Sequence, residues 1–342
     1  MAREGTFATN VFPSAPSDHK HGRSWQTRAA HDEGATMALS DYEPTCEELI
    51  YLGEIGGFEV HVTDEPTDTD DDTDTPTDTP TDATPDSDAA DFDVCLGDGA
   101  DLAREISQQV ISDPDGFAEW VAVNRERIFD AARLDQIVSD ALVVAYKMRI
   151  SDGDADCMND LGALYYMGEI VPQDYDRAAE LYTMAADNGC YQSIINLGYI
   201  HEYGRTGTPD PQEAYRCYAL AAALAPSSEA LYKLGDMYSR GKAVPRNVRR
   251  AHDLWERSLE QSTTVVETAQ PAIRIAQLIL GPDREAAGLE FDPLRALSLF
   301  QQAEVGLRID IANGASYYRK RLQQAIDGQR QARDLMDLPR LE

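Results

Sequence analysis

Residues 161–168 read LGALYYMG, and the same pattern returns as LGYIHEYG at 197–204 and as LGDMYSRG at 234–241. The copies are separated by 36 and then 37 residues. A period of this length is typical of a unit of two helices that cannot bury its apolar face alone and therefore stacks on its neighbours. The sequence thus predicts an all-α solenoid built from successive helix pairs.

A second helix follows each copy. Its N-cap stands six residues after the second glycine, at Asp174, Asp210 and Asn247, whose short side chains accept hydrogen bonds from free backbone N–H groups. An alanine comes four residues after each cap and an aromatic residue four further, so small and large side chains alternate and let the two helices interlock. The structural repeat positions identified in this way are Leu161, Gly162, Tyr165, Gly168, Ala178, Tyr182, Leu197, Gly198, Gly204, Ala214, Tyr218, Leu234, Gly235, Tyr238, Gly241, Ala251 and Trp255.

A fourth copy is incomplete. The segment 292–303 keeps the cap, the alanine and the aromatic residue as Asp292, Ala296 and Phe300. Its first helix, expected near 271–280, has lost the Leu-Gly signature, as suits a terminal repeat with no neighbour on one side. A further helix near 309–336 is predicted to close the stack.

These patterns resemble the Sel-one-like repeat, a relative of the tetratricopeptide repeat. The resemblance is strong over 155–259 and weak up to residue 303. It implies a right-handed superhelix of three to four antiparallel helix pairs whose concave face binds other proteins. The signature residues of this family are structural, so none of them is expected to be catalytic.

The chain before the repeats differs sharply in composition. Residues 37–103 contain 21 Asp and Glu residues and no Lys or Arg, which accounts for two thirds of the net charge of −31. We predict six regions: 1–36 disordered, with Met37 as an alternative start; 37–62 acidic, with a short hairpin or docking motif; 63–97 a disordered Asp/Thr/Pro linker; 98–150 N-terminal helices; 151–305 the repeats; and 306–342 a capping helix and tail.

Charge and cysteine content restrict the partners and the location. A strongly negative chain is repelled by nucleic acids and by anionic membranes, which leaves proteins as the expected partners. The five cysteines form no C-x-x-C pair, and no apolar run reaches the ~20 residues of a membrane-spanning helix. We therefore expect a cytoplasmic protein with reduced thiols.

The sequence contains no complete motif for catalysis or metal binding. Asp68–Asp74 has the first carboxylates of a calcium loop but neither its glycine nor its glutamate. Ser239-Arg-Gly-Lys242 matches S-x-x-K without the K-T-G sequence that accompanies it in penicillin-binding enzymes. We expect no enzyme activity, cofactor or metal.

The predicted function is that of a protein-binding scaffold or adaptor. One alternative is a repeat-based hydrolase or ligand-binding enzyme, and another is a regulatory subunit whose acidic tail is the active element. Partner contacts are expected on the first helix of each pair, at Asn159, Ala163, Asn196, Tyr199, Lys233 and Asp236. A basic patch formed by Arg246, Arg249 and Arg250 is a second candidate, and it is predicted to contact the acidic linker weakly within the chain.

Overall fold

The computed structural model describes residues 98–225 and 227–337, and this part of the chain contains helices and no strands. The predictions for residues 1–97 lie outside the described residues. The helices are α1 Asp98–Ser112, α2 Phe117–Val123, α3 Arg125–Leu134, α4 Gln136–Ser151, α5 Ala155–Met167, α6 Tyr175–Asp187, α7 Tyr191–Tyr203, α8 Pro211–Leu224, α9 Ser228–Arg240, α10 Val248–Gln261, α11 Val265–Leu280, α12 Arg284–Ala287, α13 Pro293–Ala312 and α14 Arg319–Leu335, with a 3-10 turn at Ser316–Tyr318.

From residue 98 onward, four helices precede the repeats and share one core with the first of them. Phe117 is fully buried and meets the ring of Tyr146 edge-on at 5.8 Å. The spacing of the apolar residues Phe117, Trp120, Val121, Ile128 and Phe129 predicts one helix through 117–129, and this prediction is wrong. The helix is interrupted at Asn124, whose φ of −98° and ψ of 11° leave the helical region, and whose Nδ2 donates to the Trp120 carbonyl at 2.9 Å. A side chain that competes for backbone groups in this way separates α2 from α3.

The three predicted repeats are the pairs α5–α6, α7–α8 and α9–α10. Each first helix ends on a glycine with positive φ, namely 67° at Gly168, 60° at Gly204 and 66° at Gly241. A left-handed residue of this kind stops a helix and is accessible to glycine at little cost. The loop that follows is fixed by the same backbone bond in every repeat: the N–H of the N-cap residue donates to the carbonyl three residues before the glycine, at 2.8–3.0 Å.

The predicted N-caps of the second helices are confirmed. The side chain of Asp174 accepts from the N–H of Arg177 at 3.0 Å, and that of Asn247 accepts from the N–H of Arg250 at 2.9 Å. Asp210 accepts from two successive N–H groups, both at 3.0 Å. Because a helix leaves its first N–H groups without intrahelical partners, these side chains position the start of each second helix.

Close approach within each pair explains the glycine of the Leu-Gly signature. A Cβ on Gly198 would lie 2.4 Å from Cε1 of Tyr218, and one on Gly235 would lie 2.4 Å from Nε1 of Trp255. The aromatic residue of the second helix thus occupies the space that a side chain on the first helix would fill. The predicted interlocking of small and large residues is confirmed.

The fourth pair, α11 with α13, departs from the expected boundaries. α11 begins at Val265, six residues before the predicted start, because Thr264 caps it and Glu267 bonds back to the N–H of Thr263 at 2.8 Å. Residues 309–312 belong to α13, so the predicted closing helix is shorter and begins at Arg319. It packs against α13, where a Cβ on Gly328 would lie 2.4 Å from the ring of Phe300.

Candidate functional site

The first helices of the four pairs, α5, α7, α9 and α11, are joined side chain to side chain in chain order. We call them the first-helix row. All six residues predicted from the sequence as partner contacts lie on it, and all are 5% exposed or less. Their side chains bond to neighbouring repeats or fill the space between helices, so in this arrangement they would influence a partner by positioning more exposed groups. Their assignment as partner contacts stays a prediction.

The first link of the row joins α5 to α7. Asn196 Nδ2 donates to Asn159 Oδ1 at 2.9 Å, across a separation of 37 residues. Beside them Asp160 accepts from Asn159 and from the Tyr146 hydroxyl, each at 3.4 Å. Burial raises the pKa of Asp160 to about 7, although the positive charge of Arg125 opposes the shift. This carboxyl therefore changes charge near neutral pH.

The second link joins α7 to α9 through hydroxyl groups. The Tyr199 hydroxyl donates to Glu229 Oε1 at 2.6 Å and lies 2.9 Å from the hydroxyl of Tyr232. Gln192 donates to the other oxygen of Glu229 at 3.0 Å. Burial raises the pKa of Glu229 above its usual value, while the bond from Tyr199 favours the ionised form. The network orders three aromatic and polar side chains around one carboxyl.

A buried ion pair lies next to this network. Lys233 Nζ is 2.5 Å from Glu202 Oε2, and both side chains are 5% exposed or less. The ammonium group also lies over the ring of Tyr199, 4.3 Å from its centroid, and the Tyr218 hydroxyl donates to Glu202 at 3.0 Å. Burial alone would raise the pKa of Glu202, but Lys233 holds it below its usual value. The carboxylate is therefore ionised, paired and hydrogen-bonded.

The third link joins α9 to α11. The guanidinium of Arg274 donates to both carboxylate oxygens of Asp236, in the bidentate geometry that suits this pair of groups. Trp255 Nε1 donates to the same carboxylate at 3.2 Å, and Arg240 lies 3.1 Å from its second oxygen. Burial would raise the pKa of Asp236, but Arg274 keeps it below its usual value. Asp236 has no free acceptor left for a partner.

Two cations stand at the exposed edge of these ion pairs. The side chains of Arg240 and Lys242 are 46% and 45% exposed, and they lie 3.9 and 4.0 Å from Glu202 Oε1. Neither residue was selected by the sequence analysis as a partner contact. Arg240 stands directly before the glycine that ends α9, and this place in the repeat is the sequence signal that could have indicated it.

The C-terminal segment covers part of the row. Tyr318 packs against the core cluster that contains Tyr232, and its ring centroid lies 4.6 Å from that of Tyr317. Burial raises the pKa of Tyr318, and the neighbouring Tyr232 raises it further. Arg321, one turn into the same segment, is partly buried, and its pKa is lowered by burial and by the charge of Arg274. The repeat pattern gave no signal for these residues because they lie outside it.

The basic patch predicted from the sequence is divided in the structure. Arg246 is 2.5 Å from Asp283 and also donates to the Ser239 carbonyl at 3.0 Å. Arg249 and Arg250 are exposed, and Arg250 stacks over the Tyr238 ring at 5.8 Å. One of the three arginines therefore has its charge matched locally, and the other two lie on a solvated helix face. The role of the patch in binding stays a prediction.

Other reactive side chains are placed within the packing of the repeats. Cys157 and Cys190 are buried, the first near the start of α5 and the second directly before α7. Burial raises the pKa of Cys217 to about 12, so its thiol is protonated at neutral pH. Within 98–225 and 227–337, no group of three His, Cys, Asp or Glu residues is arranged to hold a metal ion. None of the helices in the described part of the chain is long and apolar enough to cross a membrane.

Comparison with known proteins identifies the repeat. The profile of the Sel1 repeat family matches three consecutive segments, 155–190, 192–226 and 228–262. Similar solved structures include a Sel1 repeat protein from Oxalobacter formigenes, with 19% sequence identity over 62% of this chain and 87% of that chain and a TM-score of 0.42. Another is a protective antigen of uropathogenic Escherichia coli with an SLR fold, with 17% identity over 69% of this chain, 54% of that chain and a TM-score of 0.41. A search of curated proteins finds no significant match.

Proposed function

We propose that this chain, in which residues 155–262 are three Sel1 repeats, is a non-catalytic scaffold that holds other proteins on its first-helix row. Sel1 repeat proteins generally mediate protein–protein interactions. The observation that carries the proposal for this chain is the series of side-chain links, from Asn159 to Arg274, that joins each first helix to the next. Because each first helix is bonded to the next, the row is a rigid surface several repeats long.

The arrangement suits an extended partner segment. A partner that lies along the row would cross successive repeats, and the buried residues named above would fix the positions of the exposed side chains that it meets. Preorganisation of this kind lowers the entropy lost on binding. With a net charge of −31, proteins are favoured over nucleic acids as partners.

Affinity capture with the full chain as bait tests this proposal. The informative variant reverses charge at the edge of the row, R240E/K242E, and the matched control reverses charge on the second helices, R216E/R257E, at two exposed arginines. We expect proteins retained by the wild type, quantified by mass spectrometry, to be lost from the first variant and kept by the second. Equal retention by both variants, or no protein above background with the wild type, would contradict the proposal.

One further bait addresses the alternative that the acidic tail is the active element. The full chain with the Asp and Glu residues of 63–97 changed to Asn and Gln keeps every residue of the row. If the partners bind the row, they should be retained by this chain. Their loss would move the function from the repeats to the acidic segment.

A further inference from the structure

We propose that Arg240, Lys242 and Arg321 form a carboxylate-binding site at the edge of the first-helix row, and that its occupant in the free protein is the chain's own acidic segment 63–97. The segment would then compete with acidic partner segments for the same cations. This inference rests on the proposed scaffold function. It names the binding site and the acidic segment that a partner must displace from it.

The ion pairs of the row include more positive than negative groups. Glu202 is already bonded to Lys233 at 2.5 Å and to the Tyr218 hydroxyl at 3.0 Å. Arg240 and Lys242 lie farther away, at 3.9 and 4.0 Å from its other oxygen. Arg240 also donates to Asp236 Oδ2 at 3.1 Å, but nearly half of each side chain is in solvent, so both cations can bond to a further anion in addition to these contacts.

Asp236, the second carboxylate of the row, is likewise surrounded by more donors than it needs. Asp236 is held by both nitrogens of the Arg274 guanidinium and by Trp255. Arg240, at 3.1 Å, is therefore an additional donor to a carboxylate that is already satisfied. Around Glu202, Asp236 and the neighbouring Glu229 there are four cations for three carboxyl groups, an excess on a chain whose overall charge is strongly negative.

Arg321 adds a third cation, which comes from α14. Its Nη1 donates at 3.2 Å to Gln324 Oε1, a neutral group on the same helix. In the described residues, no carboxylate lies within ion-pair distance of Arg321. The charges of Arg274 and Arg240 lower its pKa in addition to burial, whereas Asp236 acts in the opposite direction. A partly buried guanidinium among like charges is stabilised by the arrival of an anion.

The acidic segment is the occupant best matched to this site. Residues 63–97 contain 13 Asp and Glu residues and no Lys or Arg, and they connect directly to the start of α1. Fully extended, 35 residues span on the order of 110 Å, so the length of the segment does not prevent it from reaching the site. A tethered ligand acts at a high local concentration, which compensates for weak individual contacts.

This site is distinct from the basic patch of Arg246, Arg249 and Arg250 that was predicted from the sequence. Arg246 already has Asp283 as its partner, and Arg249 and Arg250 are exposed on a helix face. Solvated cations of this kind contribute little to binding, since water and salt screen them. The partly buried Arg321 is screened less, and Arg240 and Lys242, although exposed, lie beside the buried carboxylates Glu202 and Asp236.

Fluorescence anisotropy with a labelled synthetic peptide of residues 63–97 tests the proposal. The host is the full chain in which the 13 acidic residues of that segment are changed to Asn and Gln, so that its own segment cannot compete. We expect this neutralised chain to bind the peptide at about 20 mM salt at least about tenfold more tightly than the wild type does, and to lose affinity at about 300 mM salt.

Site variants are then compared in the neutralised chain. R240Q/K242Q/R321Q should weaken peptide binding by at least about tenfold, while the equally charged control R246Q/R249Q/R250Q should change it by less than about threefold. R240K/R321K keeps the charges and should retain binding, which separates charge recognition from a structural requirement for guanidinium groups. Thermal unfolding of each variant checks that the fold is preserved.

Three results would overturn the inference. Absence of peptide binding at low salt would show that the site does not exist. Equal weakening by R240Q/K242Q/R321Q and R246Q/R249Q/R250Q would show that the peptide is attracted to any basic surface of the protein. Equal binding by the neutralised and wild-type chains would mean that the acidic segment does not occupy the site. None of these results affects capture of partners by the row, so the scaffold proposal would stand or fall on its own test.

Discussion

Replacing Gly198 with alanine tests how closely the two helices of a repeat approach each other. The new Cβ would lie 2.4 Å from Cε1 and 2.8 Å from Cδ1 of Tyr218, whereas carbon atoms in contact prefer about 3.5–4.0 Å. Tyr218 is completely buried and its hydroxyl is bonded to Glu202, so the ring cannot swing aside without losing that bond and its packing. The helices must separate or the ring must leave its rotamer.

Two opposing effects determine how much Gly198→Ala changes the free energy of unfolding. Alanine is favoured over glycine inside a helix by about 1 kcal/mol. Overpacking a well-packed core costs about 1–3 kcal/mol, and an overlap of more than about 1 Å with a buried ring belongs at the upper end or beyond. We therefore expect Gly198→Ala to lower the free energy of unfolding by about 2 kcal/mol.

The equivalent glycine of the first repeat provides a graded comparison. A Cβ on Gly162 would lie 3.0 Å from the ring of Tyr182, so the neighbour needs to yield by only a few tenths of an ångström. The net loss should stay below about 1 kcal/mol. At Gly207 nothing lies within 4 Å of the added atom, and Gly207→Ala should leave stability nearly unchanged.

Urea unfolding followed by circular dichroism measures these differences. Tryptophan fluorescence provides a second probe when Trp25 and Trp120 are replaced by phenylalanine in every variant, because Trp255 then reports on the third repeat. Coincident curves would show that the repeats unfold together. The expected order of stability is G198A below G162A, with G207A near the wild type. Finding G198A as stable as the wild type, or G162A less stable than G198A, would refute the packing argument.

Three further predictions concern single side chains. Burial raises the pKa of Asp310 to about 7, above its value of about 3.9 in an unfolded chain, so the folded state loses stability as pH rises from about 4 to about 7. Asp310→Asn should therefore raise Tm at pH 8 and leave it nearly unchanged at pH 4. Equal shifts of Tm at the two pH values would contradict this prediction. Arg274→Leu leaves the buried Asp236 with Arg240 as its remaining cation and should cost about 3 kcal/mol in urea unfolding, part of which Asp236→Asn should restore in the double variant. Asn247→Ala removes the cap of α10 and should cost about 1 kcal/mol, while Asn247→Asp should cost much less; equal losses would mean that the cap is not the cause.

Much of the fold could be predicted from the sequence because repeat signals are local. The period of 36 to 37 residues, the glycines that end the first helices and the caps of the second helices each depend on a few neighbouring residues. Errors occurred where local signals competed. The break at Asn124 depends on a side-chain bond to the backbone, and the early start of α11 depends on Thr264 and Glu267, which lie outside the repeat pattern.

The candidate site was predicted less completely. Periodicity placed Asn196, Lys233 and Asp236 on the first helices but did not show that they would be buried by bonds to other repeats. Charge counting selected Arg246, whose partner Asp283 stands 37 residues later in an inserted loop. Arg321 could not be found by either method, because it comes from a helix outside the repeats.

The sequence by itself determined that this protein is a stack of helix pairs, since propensity, capping and close packing within a pair are fixed by residues near one another in the chain. The tertiary structure alone decided which polar groups of the first-helix row are consumed by their neighbours and which remain available. The reason is physical. Whether a charged group can bind a partner depends on its burial and on the balance of cations and carboxylates brought together from several repeats. Neither quantity can be read from the sequence of a single repeat.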